Sequence, residues 1–70
     1  MKIQVSDNEF IHIQEMTSVE KKLAVEFLEF KIDVIKEQLK YRTNDNEWAN
    51  NAICAMVHAK RQLKAVKAVL

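Results

Sequence analysis

Glycine and proline are both absent from the 70 residues of this chain. These two residues supply most tight turns and helix ends, so their absence favours a few long elements with short connections over a fold of many strands. Cys54 is the single cysteine, which excludes a disulfide within the chain and is typical of a reducing compartment.

Long uncharged apolar runs are absent as well. No stretch reaches the length of a membrane span, and the polar residues 6–9 follow the short N-terminus without the apolar run or cleavage site of a signal peptide. The sequence therefore predicts a soluble, cytoplasmic protein that does not act at a membrane.

Length limits the chain to one small domain, residues 1–70. A domain of this size buries only about 60% of the surface that its unfolded chain exposes. Small scaffolds offset that deficit with disulfides, a structural metal or oligomerisation, and no cluster of cysteine and histidine resembles a zinc site. We therefore expect a homodimer or a permanent protein partner, and no cofactor.

Residues 17–42 predict the first long helix. Thr17 and Glu20 have the spacing of a capping box, which starts the helix at Ser18. At about 100° per residue its apolar surface spans roughly 220°, whereas a surface helix needs about 100°. This surface divides into two stripes. The Phe30 stripe contains Val19, Leu23, Phe27, Phe30, Val34 and Tyr41, and the Leu28 stripe contains Leu28, Ile32, Ile35 and Leu39.

Residues 43–70 predict a turn and a second helix over about 45–69, with Asn44 as a cap and with Asp45 and Glu47 in its first turn. Its apolar face is lined with small residues at its centre, and we expect it to pack antiparallel on the Phe30 stripe. The predicted protein interface is then the uncovered Leu28 stripe, with Lys31 and Gln38 between the two stripes. Two copies would bury it in a four-helix bundle.

Residues 1–16 are predicted as a β-hairpin or an extended arm. Ile3 and Val5 alternate with polar residues before a turn-forming segment and a second apolar run. The expected fold is thus mainly α: an antiparallel two-helix hairpin with a short N-terminal β-hairpin or arm, completed by dimerisation.

Charge is divided unevenly along the chain. The net charge is +1, but residues 1–47 carry 7 basic and 10 acidic residues, and residues 48–70 carry no acid. The basic residues of that second part are Lys60, Arg61, Lys64 and Lys67. They can contact nucleic acid or attract the acids of the first helix. Nucleic-acid-binding domains usually have a pI above about 9, whereas this chain has a pI of 7.9.

Catalytic groups are scarce. Cys54 and His58 stand four residues apart, but catalysis would need a third orienting group and an oxyanion hole, and a metal would need further ligands such as His12. We expect Cys54 to pack in the core and His58 to lie at a helix flank. The chain is predicted not to be an enzyme.

The predicted function is a non-enzymatic protein-interaction module, an adaptor, inhibitor or small chaperone that binds a protein through helix 1. In size and pattern the chain resembles the small helical proteins with which phages and mobile elements block a host protein, and the short chaperones of secretion systems. An alternative is a nucleic-acid-binding accessory protein that uses the basic end of helix 2. A third is an oligomer that binds a small ligand near Lys31, Gln38 or the Cys54 and His58 pair.

Overall fold

The computed structural model describes residues 1–41 and 46–70. The chain forms a two-stranded antiparallel hairpin and two long helices, which confirms the predicted mainly helical fold and the hairpin rather than the extended arm. The elements in chain order are β1 (Lys2–Ser6), β2 (Glu9–His12), a 3-10 turn (Ile13–Glu15), α1 (Ser18–Tyr41) and α2 (Asn46–Ala68). The roles predicted for Arg42, Thr43, Asn44 and Asp45 lie outside the described residues.

The start of α1 is fixed by the predicted capping box. The Glu20 amide donates to Thr17 Oγ1 at 3.2 Å, and the Thr17 amide donates to Glu20 Oε1 at 2.9 Å. Both bonds satisfy amides that a helix N-terminus leaves without partners, so α1 begins at Ser18 as predicted.

The hairpin lies on the helices through β1. Ile3 pairs with Ile11 and Gln4 pairs with Phe10, and the register shifts at a bulge between Gln4 and Ser6. Ile3 is completely buried. Because an isolated two-stranded hairpin is marginal in water, this anchoring of β1 on the helices stabilises it.

The core is small and is shared by all three main elements. Its buried side chains are Ile3, Met16, Ala24, Leu28, Ile32, Ala59 and Val66. Ala52 and Ala59 are buried on α2, so the small-residue face of this helix does pack inward as predicted. Neither helix, over the residues described, has the length and apolarity needed to cross a membrane.

Candidate functional site

The two apolar stripes of α1 are arranged opposite to the prediction. Leu28 is fully buried and Ile32 is only 6% exposed, both within the chain's own core. Ile35 and Leu39 are half-buried. The prediction that the Leu28 stripe stays free for a partner is therefore wrong for Leu28 and Ile32, which α2 and the hairpin already cover.

Most of the Phe30 stripe is instead exposed. Val19 and Phe30 are each 67% exposed, Leu23 is 53% exposed and Tyr41 is 80% exposed. Phe27 and Val34, which belong to the same stripe, are half-buried. The candidate site is thus an aromatic-rich face along the length of α1.

The position of β1 explains why the Leu28 stripe, and not the Phe30 stripe, is buried. Packing the Phe30 stripe against α2 would leave the hairpin to cover the Leu28 stripe alone, whereas the observed packing gives the Leu28 stripe contacts to both elements. One cluster of buried side chains accordingly joins Ile3 of β1, Leu28 of α1 and Val66 of α2. The apolar area that α1 buries is greatest when one stripe contacts both the hairpin and α2.

The sequence contains a signal that indicates which of the two stripes is buried. Glu37 interrupts the Phe30 stripe between Val34 and Tyr41, at the place where the three-and-four spacing requires an apolar residue. The Leu28 stripe continues back through Ala24 without such an interruption. Continuity of the apolar pattern therefore indicated the core better than side-chain bulk did.

Lys31 and Gln38, the polar residues between the stripes, differ in their surroundings. Lys31 is half-buried, and its Nζ donates to Gln4 Oε1 at 2.6 Å. The Gln4 amide in turn donates to Gln62 Oε1 of α2 at 3.0 Å. Gln4 thereby links both helices to the hairpin, whereas Gln38 is exposed.

A groove beside this link opens onto the Phe30 stripe. It has a volume of about 260 Å³. Its lining residues are Gln4, Asp7, Phe27, Phe30, Lys31, Val34 and Ile35. The exposed face therefore has a concave margin, formed where the hairpin meets α1, into which a partner side chain can insert.

Three of the four predicted basic residues lie together. Lys60, Lys64 and Lys67 line a shallow groove of about 260 Å³ with Leu63, and Arg61 is not among the residues that line it. An adjoining groove of about 330 Å³ places Lys60 and Lys67 beside acids of α1, with lining residues Glu29, Ile32, Asp33, Lys36, Lys60, Leu63 and Lys67.

The contact between opposite charges on the two helices is an ion pair. Lys67 Nζ lies 3.3 Å from Glu29 Oε1, and both side chains are about half exposed. An exposed pair of this kind is worth about 0 to 1 kcal/mol. The packing of basic α2 beside acidic α1 that the charge pattern favoured is therefore present, and it partly neutralises the basic surface.

Cys54 and His58 are both exposed on α2. The expectation that Cys54 packs in the core is wrong, because α2 turns its Ala52 and Ala59 face inward. Over residues 1–41 and 46–70, no three side chains of the metal-binding types come close enough to hold an ion.

Comparison of the chain with protein-family models, with curated proteins and with solved structures found no match to any of them.

Proposed function

We propose that this chain is a non-enzymatic protein-interaction module, and that the Phe30 stripe of α1 is its binding surface. The exposure of Val19, Leu23, Phe30 and Tyr41 along one helix supports this proposal. Several large apolar side chains exposed on one helix face are typical of a protein-binding site, and aromatic residues are enriched at the centre of protein interfaces.

The surface fits a helical partner. Leu23, Phe27, Phe30 and Val34 follow one another at spacings of four, three and four, which is the seam that helices use when they pack side by side. The exposed acids Glu26 and Asp33 lie along one side of it. The partner that complements this border is an amphipathic helix with basic residues beside its apolar seam.

Burial of this surface has a favourable but limited free energy. Full burial of an aliphatic or aromatic side chain is worth about 1.5 to 3 kcal/mol. The fractions of Val19, Leu23 and Phe30 that are still exposed would therefore contribute roughly 3 to 6 kcal/mol together. Association itself costs about 4 to 15 kcal/mol, so a stable complex also needs Tyr41, the groove at the hairpin and the acidic border.

A selection from a displayed library of amphipathic helical peptides tests the proposal. Selected peptides should bind the unmodified protein and shift the amide resonances of Leu23 and Phe30. The double variant Leu23→Glu with Phe30→Glu should remain folded, since both positions are more than half exposed, and should lose binding. Ile53→Glu is the matched control, because Ile53 is an exposed apolar residue on α2.

Two results of this selection would count against the proposal. One is a set of peptides that bind equally well to the double variant. The other is a selection that yields only peptides sensitive to Ile53→Glu, since these would place the binding surface on α2.

Nucleic-acid binding is the second candidate, supported by the shared groove of Lys60, Lys64 and Lys67. The adjoining acids Glu29 and Asp33 reduce its positive potential and would repel phosphates. We therefore rank this function below protein binding.

A further inference from the structure

The outer face of α2 carries a second exposed stripe, the Ile53 stripe. Its members are Ile53, Val57, Lys60 and Lys64, and all four are exposed. They follow one another at spacings of four, three and four, so they lie along one side of the helix. The first half of this stripe is apolar, with Ile53 45% and Val57 40% exposed, and the second half is basic.

The two exposed stripes point away from the core that the helices share. At about 100° per residue, Phe30 lies roughly 160° around α1 from Leu28. By the same construction, Val57 lies roughly 160° around α2 from Ala59. Leu28 and Ala59 are both buried in the core. The stripes therefore face outward on different sides of the molecule, and a second copy can approach one of them without contacting the other.

We propose that the Ile53 stripe of one copy packs on the Phe30 stripe of a second copy. This inference rests on the proposed function, because it names the partner of the Phe30 stripe. The partner derived there is an amphipathic helix with basic residues beside its apolar seam, and α2 has this character. The contact is heterologous, since the two copies contribute different faces, and it joins copies head to tail into a ring or an open row.

The spacing of side chains on the two stripes matches. The central residues of the Phe30 stripe, Leu23, Phe27, Phe30 and Val34, also follow one another at spacings of four, three and four. In a parallel alignment of the two helices, Ile53 of one copy meets Leu23 of the other. One turn later, Val57 meets Phe27. This half of the contact removes apolar surface of both copies from water.

The other half of the contact places opposite charges together. The same alignment brings Lys60 and Lys64 beside the exposed acids Asp33 and Glu37. Lysine lays its apolar stem on an apolar surface and keeps its ammonium group in water, so both cations can cover the stripe and still reach these carboxylates. An antiparallel alignment would bring Lys64 near Lys22, which is repulsive. Two Phe30 stripes packed on each other would oppose acid to acid.

Two single variants test the contact, because each disables a different stripe. Phe30→Glu leaves the Ile53 stripe intact, and Ile53→Glu leaves the Phe30 stripe intact. Both positions are exposed, so both variants should keep the far-UV circular dichroism of the unmodified protein. Sedimentation velocity should show concentration-dependent association of the unmodified chain and monomers for each variant alone. An equimolar mixture of the variants should form a dimer and nothing larger, because it retains one intact pair of stripes.

The size of the effect and its salt dependence follow from the same contact. Each substitution should raise the dissociation constant of self-association about tenfold or more, because it places a charge in an apolar contact. Association of the unmodified chain should weaken as salt is added, because salt screens attraction between exposed charges.

Four results would overturn the inference. The first is an unmodified chain that stays monomeric at all concentrations. The second is association that persists in either variant alone, since this would show two like faces in contact. The third is an equimolar mixture of folded variants that stays monomeric. The fourth is association that does not weaken with salt, because the charge pairing would then be absent.

Failure of this inference can be distinguished from failure of the proposed function. The Ile53→Glu variant keeps the Phe30 stripe and should still bind the selected helical peptides. Peptide binding by an unmodified chain that never associates would support the proposed function and overturn only the identity of the partner. Where both hold, the selected peptides should dissociate the unmodified chain into monomers, since they occupy the same stripe.

Discussion

A matched pair of substitutions on α1 measures which apolar stripe forms the core. Leu28 is fully buried, whereas Leu23, five residues earlier on the same helix, is 53% exposed. Leu28→Ala should lower the free energy of unfolding by about 2 to 5 kcal/mol, because it removes buried methyl groups and leaves a cavity. Leu23→Ala should lower it by less than about 1.5 kcal/mol. About half of the Leu23 side chain is in contact with water in the folded protein, so its removal loses less buried apolar surface.

The expected difference in unfolding free energy between the two variants is large compared with the stability of this domain. At about 0.05 to 0.15 kcal/mol per residue, the whole chain is stable by roughly 4 to 10 kcal/mol. Both variants change leucine to alanine within a helix, so the change in helix propensity is similar and largely cancels in the comparison. Since each kcal/mol moves the Tm of a domain this small by about 4 to 8 °C, Leu28→Ala should melt roughly 10 °C or more below the unmodified protein.

Urea unfolding followed by circular dichroism provides the measurement. The two variants should have the same m value and different midpoints. Each should be compared at a low, fixed protein concentration, because association adds to apparent stability. Equal losses, or a larger loss for Leu23→Ala, would refute the assignment of the core to the Leu28 stripe.

Two further predictions concern the N-terminus of α1 and the basic groove of α2. Thr17→Ala should cost about 0.5 to 2 kcal/mol of unfolding free energy by removing the cap, whereas Thr17→Ser should cost much less in the same thermal melt; equal losses would show that the hydroxyl contributes nothing. For nucleic acid, we expect no measurable affinity for duplex DNA even at low salt, where release of counterions favours binding most. Fluorescence anisotropy that detects salt-dependent binding, lost in Lys60→Glu with Lys64→Glu, would reverse our ranking of the two functions.

Those parts of the fold that depend on near neighbours in the chain could be predicted from the sequence. The Thr17 and Glu20 pair specifies the start of α1 because both partners lie within one helical turn. The absence of glycine and proline, with apolar residues at three-and-four spacing, specifies two long helices. The alternation around Ile3 likewise predicts a strand.

The candidate site was predicted only in part. The excess of apolar surface on α1 indicated that part of this helix stays uncovered, and Lys31, predicted to lie at the interface, donates to Gln4 of the same chain. The uncovered part was assigned to the wrong stripe. Pattern alone could not weigh Phe30 against Leu28, because both stripes are apolar and adjacent, and a bulky aromatic is as suitable for a core as for an interface.

The sequence by itself determined the elements, their order and the width of the apolar surface on α1, because these follow from local propensity, capping and periodicity. Tertiary structure decided which part of that surface lies inside. β1 and α2 both pack on the Leu28 stripe, and the free energy of burial is greatest where two neighbours meet. Over residues 1–41 and 46–70, no further helix or strand covers the Phe30 stripe, and most of it is therefore exposed.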